Sequence, residues 1–248
     1  MNGIGERLIE VKNRITAAAV LAHRDPQTIR LVAVSKRQPA EAIRVAYQLG
    51  QRDFGENYVQ ELERKAEQLA DLPALRLHLV GHLQRNKVKA VVPLASVIHT
   101  VDSIELATEI AKRAAQRAVP EQRQFQTEGF SAPGSLPLLV EVNVGGEQQK
   151  SGCEPGELPA LLDAIDALEH VQLVGLMTVP PFTDEAEQSQ PYFTQLVALR
   201  AANGGARRLP ELSMGMTLDL EYAIQAGATI VRVGTAIFGE RMAREGSR

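Results

Sequence analysis

Lys36 follows a run of small and β-branched residues, Leu31-Val32-Ala33-Val34-Ser35, and precedes Arg37-Gln38-Pro39. Leu31 to Val34 reads as a short buried strand. Pro39 stops further pairing and suits the first turn of a helix. Lys36 therefore lies at the C-terminal mouth of a strand, in the first βα loop, where parallel α/β proteins collect their chemistry. A lysine there either forms a Schiff base with an aldehyde or is a solvated loop residue. These residues alone leave both open.

Two glycine-bearing turns near the C-terminus have the makings of an anion site. Ser213-Met214-Gly215-Met216-Thr217 offers a hydroxyl, a close backbone approach at Gly215 and a following helix start. Gly234-Thr235 offers bare backbone N–H groups and a second helix start. Together they would form a cup of neutral donors at the loops where (β/α)8 barrels often hold phosphate. Each turn taken singly is also explained by tight geometry. Arg232 precedes the second turn, on the opposite strand face from Val231 and Val233. A charged residue in a short buried strand needs a partner. That partner is either a structural carboxylate such as Glu141 or a bound heteroaromatic nitrogen.

His78 and His82 are four apart, but Gly81 intervenes and no cluster supplies further ligands, so no metal site is expected. Cys153 stands alone without triad context and reads as a structural thiol.

The elements that must position these groups alternate along the chain. An apolar stripe of Ile4, Leu8, Val11, Ile15, Ala18 and Ala22 predicts an N-terminal helix, broken by Asp25-Pro26. The first strand and a helix over Ala40 to Leu49, ended by Gly50, follow. The second unit is Arg52 to Asn57 with a helix over Tyr58 to Leu69. The third is Leu75 to Gly81 with Leu83 to Val91. The fourth is Ser96 to Val101 with a helix from Ile104 to Arg117, capped by Asp102 or Ser103. Residues Val119 to Pro137 hold three prolines and two glycines and read as an extended surface loop. Strand five is Leu138 to Val144, with Glu141 and Asn143 on one face and Val140 and Val142 on the other. A helix over Leu158 to Leu168, strand six at Val171 to Val179, and a helix around Phe193 to Leu199 come next. Strand seven at Glu211 to Ser213, a helix over Leu218 to Gln225 and strand eight at Thr229 to Val233 complete the pattern. Eight strand–helix units in this length predict a single (β/α)8 barrel with an extra N-terminal helix. A doubly wound open sheet is the alternative, but no switch-point fingerprint accompanies it.

The 248 residues are 44% hydrophobic and 23% charged, with a net charge of −3. No basic block suggests nucleic acid. No apolar run has membrane-spanning length, and the N-terminus lacks a signal-peptide core. One cysteine excludes an internal disulfide and suits a reducing compartment, so a cytoplasmic protein is expected.

Several segments together resemble the pyridoxal phosphate homeostasis (YggS/PROSC) family. They are Leu31 to Lys36, Phe54-Gly55-Glu56-Asn57-Tyr58-Val59-Gln60-Glu61, His78 to Gln84 with Asn86-Lys87, Gly175-Leu176-Met177, Leu212 to Met216, and Val231 to Gly239. The resemblance spans nearly the whole chain in order, and only the 119–137 segment is longer than the family leads one to expect. It implies a barrel like the N-terminal domain of alanine racemase, the type III fold of pyridoxal phosphate (PLP) proteins. It implies PLP held as an aldimine on Lys36, with Ser213, Gly234 and Thr235 at the phosphate, Arg232 facing the pyridine nitrogen and Asn57 lining the pocket near the ring. An arginine there leaves the nitrogen unprotonated and weakens the ring as an electron sink.

The function then expected is a non-catalytic PLP carrier or regulator in vitamin B6 and amino-acid balance. PLP-dependent apo-enzymes would be transient partners, and the chain a monomer. Two enzyme readings compete with it. A racemase needs a second base on the opposite face of the ring, and only Glu240 to Arg248 remain after the eight units to supply a further domain. A barrel enzyme acting on a phosphorylated metabolite through Lys36 does not account for both phosphate loops together with Arg232.

Overall fold

Runs rich in Val, Ile and Leu alternate with helical stripes, and parallel strands so buried must be covered by helices on one side and filled from the other. A computed structural model of the chain describes residues 3–116, 134–147 and 149–239. Eight strands close in sequence order into a parallel barrel. They are β1 (Arg30–Val34), β2 (Asp53–Glu56), β3 (Arg76–Leu79), β4 (Val97–Val101), β5 (Leu136–Glu141), β6 (Val171–Met177), β7 (Glu211–Ser213) and β8 (Ile230–Val233). β1 pairs with β8 through Val32↔Arg232 and Ala33↔Val233, which closes the barrel and sets the loop after β1 beside the loop after β8.

The helices are α1 (Ile4–Leu21), α2 (Ala40–Gln48), α3 (Val59–Gln68), α4 (Val88–Val91), α5 (Ile104–Ala114), α6 (Leu158–Asp166), α7 (Gln190–Ala202), α8 (Gly205–Arg208), α9 (Leu220–Ala226) and α10 (Thr235–Phe238). The N-terminal helix α1 packs on α2, α9 and α10. Its Arg7 Nε donates to the Ile237 carbonyl at 2.8 Å, and Arg14 pairs with Glu221 at 2.7 Å.

Strand alternation sorts the side chains. Ala33, Phe54, Val140, Val142, Val231 and Val233 join the large core between sheet and helices. Val32, Val80, Val97, Leu139, Val174, Met177 and Ile230 form a smaller core inside the barrel. Arg232 and Glu141, two residues on from Ile230 and Leu139, share that inner face. Gly175 sits where β6 presses on β7: a Cβ there would lie 2.0 Å from the Glu211 carbonyl oxygen.

Several boundaries differ from those expected. β5 begins at Leu136, so Pro137 is inside a strand. Pairing with β4 starts only at Ile98↔Leu138, so the missing N–H of Pro137 costs no ladder bond on that side. Residues 119–133 of the expected loop lie outside the described residues. β5 ends at Glu141 and β6 at Met177, both short of the sequence reading. The expected helix over Leu83 to Val91 is a 3-10 turn at Arg85–Lys87 followed by the four-residue α4. Ser103 occupies the N-cap of α5, but its hydroxyl donates to Asp102 at 3.2 Å and makes no cap bond. The short α8 was not anticipated.

Candidate functional site

The mouth at the C-terminal ends of β1, β2, β7 and β8 brings the expected residues onto neighbouring loops. Lys36 is half-buried, two residues past the inward-facing Val34. Asn57 is half-buried after β2, and its backbone lies so close to Gly81 that a Cβ there would come within 2.3 Å of the Asn57 carbonyl oxygen. Gly234 is similarly tight, with a virtual Cβ 3.0 Å from the Val34 carbonyl oxygen. Gly215 has φ 90°, and a side chain there would meet the Ala223 Cβ at 2.4 Å. Among the described residues, the N–H groups of Gly215, Thr235 and Ala236 carry no hydrogen bond. Thr235 itself is exposed. Bare N–H groups on turns whose glycines allow close approach fit an anion such as a phosphate ester.

Beneath the mouth a chain of buried polar groups crosses the barrel interior. Arg232 Nη1 donates to Ser213 Oγ at 2.7 Å, and Nη2 donates to the Thr178 carbonyl at 2.9 Å. Ser213 Oγ lies 2.9 Å from His99 Nδ1. His99 Nε2 lies 2.9 Å from His78 Nδ1, and His78 Nε2 lies 2.9 Å from Asp53 Oδ1. Arg76 closes the far end with two bonds to Asp53, at 2.6 and 2.7 Å.

The charge states fix where each hydrogen points. Burial alone would raise Asp53, but hydrogen bonds from Arg76 and His78 outweigh it and hold the carboxyl well below the usual range. Asp53 is therefore an acceptor only, and His78 Nε2 must donate to it. Burial lowers His78, against the pull of Asp53, and lowers His99 strongly, with His78 and Arg232 adding to the effect. Both rings are neutral near pH 7, each with one N–H. His99 Nε2 then donates to His78, and the Ser213 hydroxyl donates to His99 Nδ1. Burial lowers Arg232 to about 10, which leaves it cationic at neutral pH. Every hydrogen from Arg232 to Asp53 points the same way.

In this arrangement the Ser213 hydroxyl proton points to His99, and its oxygen accepts from Arg232 and holds the guanidinium in place.

This geometry resolves the partner left open for Arg232. Neither of its short contacts is to a carboxylate, and Glu141 acts on it only through space. Glu141 itself is buried, and its Oε2 has no hydrogen-bond partner. Burial pushes its carboxyl up to about 7, with Asp102 adding to the rise and Arg232 opposing it.

The remaining sequence candidates separate. His78 belongs to the interior chain, whereas His82 is on the surface, 3.6 Å from Asp102. Cys153 is buried, and that burial pushes its thiol up to about 12, so it carries no thiolate at neutral pH.

Sequence reasoning missed Asp53, His99 and the fully buried Lys65. For Lys65 a signal existed: Val59, Leu62, Ala66 and Leu69 mark the inner face of α3, and Lys65 stands on that face.

Residues 10–242 match the family described as alanine racemase, N-terminal domain. A protein of Pseudomonas aeruginosa named pyridoxal phosphate homeostasis protein is 43% identical over 245 residues, 97% of this chain and 97% of the relative. The chain belongs to the pyridoxal phosphate homeostasis protein family. Among solved structures of this kind, PipY of Synechococcus elongatus PCC7942 with PLP bound is 37% identical, with a TM-score of 0.75 over 95% of this chain and 100% of PipY. An alanine racemase from Clostridium difficile 630 shares the fold, with a TM-score of 0.70 at 14% identity over 98% of this chain and 58% of that one. The homeostasis family thus uses the same eight-stranded barrel as the racemases.

Proposed function

We propose that the chain is a single barrel domain that binds PLP at this mouth and serves PLP homeostasis in the cell as a carrier or regulator. The observation that carries this reading is the convergence on one mouth of Lys36, the bare N–H groups after β7 and β8, and the buried Arg232 cation. The PLP-bound relative and the names of the homologues support the choice of ligand.

The roles follow from position. Lys36 supplies the amine for a covalent bond to the cofactor. Gly234, Thr235 and the Gly215 turn hold the phosphate through backbone N–H groups. Asn57 lines the pocket. Arg232, kept charged and fixed by Ser213 and the Thr178 carbonyl, faces the ring nitrogen and denies it a proton. PLP, when bound, supplies an aldehyde and an electron-accepting ring, and this arginine makes the ring a poorer acceptor. PLP-dependent apo-enzymes are the natural recipients of a carrier. No helix among the described residues is long and apolar enough to cross a membrane.

The phosphate is tested by comparing PLP with pyridoxal in equilibrium titrations followed by visible absorption. Hydrogen bonds to a charged group contribute about 1.5–3 kcal/mol each, so pyridoxal should bind at least about tenfold more weakly. Equal affinity would remove the phosphate cup from the proposal.

One observation favours the racemase-like alternative. Glu141 is a buried inner-face carboxyl whose proton is exchangeable near neutral pH, the kind of group that serves as an acid or base. Carbanion chemistry also needs an electron sink and a base on each face, and Arg232 opposes the first. The protein loaded with PLP is therefore expected not to accelerate α-proton exchange of alanine or serine in heavy water above free PLP, as read by NMR. Fast exchange that disappears in Glu141→Gln would make the protein an enzyme.

A further inference from the structure

Lys65 on α3 is completely buried, and all three of its ammonium hydrogens are used. Nζ donates to the Ser35 carbonyl at 2.6 Å, to Glu56 Oε1 at 2.7 Å and to Glu61 Oε2 at 3.1 Å. Both carboxylates reach on to the same loop. Glu56 Oε1 accepts the Ser35 hydroxyl at 2.6 Å, and Glu61 Oε2 accepts the Arg37 backbone N–H at 2.7 Å. The residues on either side of Lys36 are thus tied to a single buried cation.

The loop needs such a tie. Arg37 has φ 61°, a left-handed conformation that costs a side-chain-bearing residue energy and persists only where its surroundings impose it. Stability alone does not account for the choice of residues. A buried ion cluster is often no more stable than apolar side chains of equal volume. Glu56 even keeps one buried carboxylate oxygen, Oε2, without a partner. What charged groups provide here, and apolar ones would not, is directional bonds to the carbonyl, hydroxyl and amide that flank Lys36.

We infer that Lys65, with Glu56 and Glu61, is a positioning residue for Lys36: the buried triad holds the Ser35-Lys36-Arg37 turn so that the Lys36 amine meets the cofactor's aldehyde in reacting geometry. This rests on the proposed role of Lys36. The step it serves is a condensation in which the amine nitrogen replaces the aldehyde oxygen, a C=N bond forms and one water leaves. Small errors in placing a reacting group are costly, about 10²-fold for 1 Å, so loosening the turn should slow the condensation by at least about tenfold.

The test uses the full-length protein in four forms: wild type, Glu61→Ala, Glu61→Gln and Lys65→Met. Glu61 is at the edge of the triad and partly exposed, so its loss frees the Arg37 amide without emptying the core. Lys65→Met serves as the deeper variant. Two quantities are measured: the rate of appearance of the visible band on mixing with PLP, with borohydride trapping and peptide mapping to Lys36, and the affinity for pyridoxine 5′-phosphate, which has no aldehyde. The expected result is slower condensation in Glu61→Ala and Lys65→Met, partial recovery in Glu61→Gln, which keeps an acceptor oxygen, and unchanged pyridoxine 5′-phosphate affinity in all. Condensation at the wild-type rate in Glu61→Ala, or a fall in rate matched by an equal fall in pyridoxine 5′-phosphate affinity, would overturn the inference. A wild-type protein that forms no bond at Lys36 overturns the role of Lys36 itself, which is a different result from equal rates in wild type and variant.

Discussion

Lys36→Ala is expected to retain the phosphate-binding turns but to lose all cofactor that borohydride can fix to the protein. The position follows from the strand: β1 ends at Val34, the barrel closes through β1 and β8, and the loop bearing Lys36 adjoins Gly234 and Thr235. Under the proposed binding mode, a phosphate held by those N–H groups would set the aldehyde beside Lys36. Two other lysines compete in principle. Lys87 lies in the turn before α4, and Lys150 lies after β5, where its ammonium pairs with Glu147 and donates to the Pro180 carbonyl at 3.0 Å. The measurement is intact mass after borohydride reduction, followed by peptide mapping. Wild type should carry one label on Lys36 and the variant none. A label found on Lys87 or Lys150 in the wild-type protein would move the site to another loop.

Glu141→Gln is expected to change how stability depends on pH. Burial raises this carboxyl from 4.5 to about 7, so between those values the folded chain holds a proton that the unfolded chain has released. Stability then falls as pH rises through that window and levels off above it. At 1.36 kcal/mol per pH unit the whole effect is about 3 kcal/mol. Glutamine has no such proton to lose. Relative to wild type, the variant should gain up to about 3 kcal/mol on going from about pH 5 to about pH 8. The buried histidines push the other way, since a lowered pKa makes stability rise with pH up to the ordinary histidine range. Both proteins contain them, so they cancel in the difference. Urea unfolding at several pH values without added PLP gives the comparison. A difference that does not change with pH would mean that Glu141 titrates normally.

Much of the mouth was legible because strand endings are punctuated in sequence. Pro39 after Lys36, Gly215 after Ser213 and Gly234 after Arg232 each mark where a strand stops and a loop begins. Strand alternation also put Arg232 and Glu141 on the faces opposite their valine neighbours, which the structure shows to be the inner one. The start of β5 was missed because Pro137 looks like a breaker, and only the stagger against β4 shows that its missing N–H is not needed there. The interior chain was not legible at all. His99 and Ser213 are 114 residues apart, and nothing local to either predicts their contact. The contact of the Ser213 hydroxyl with His99 was hidden for the same reason: its partner comes from a strand distant in sequence.

The one-way order of hydrogens from Arg232 to Asp53 has a consequence for how such a barrel can change over time. Each member is both the donor to one neighbour and the acceptor from the other, apart from the two charged ends. Replacing Ser213 by alanine strands a guanidinium hydrogen and a ring nitrogen at once, and replacing His99 strands a hydroxyl and a second ring. A buried group left without its partner costs about 1–3 kcal/mol, and each interior change here leaves two. Single substitutions therefore descend into a valley of lost stability. The route across is a coordinated exchange of neighbours that keeps the count of donors and acceptors even. Asp53, His78, His99, Ser213 and Arg232 are coupled energetically as one unit rather than five sites, so exchanges within that unit are expected to come several letters at a time.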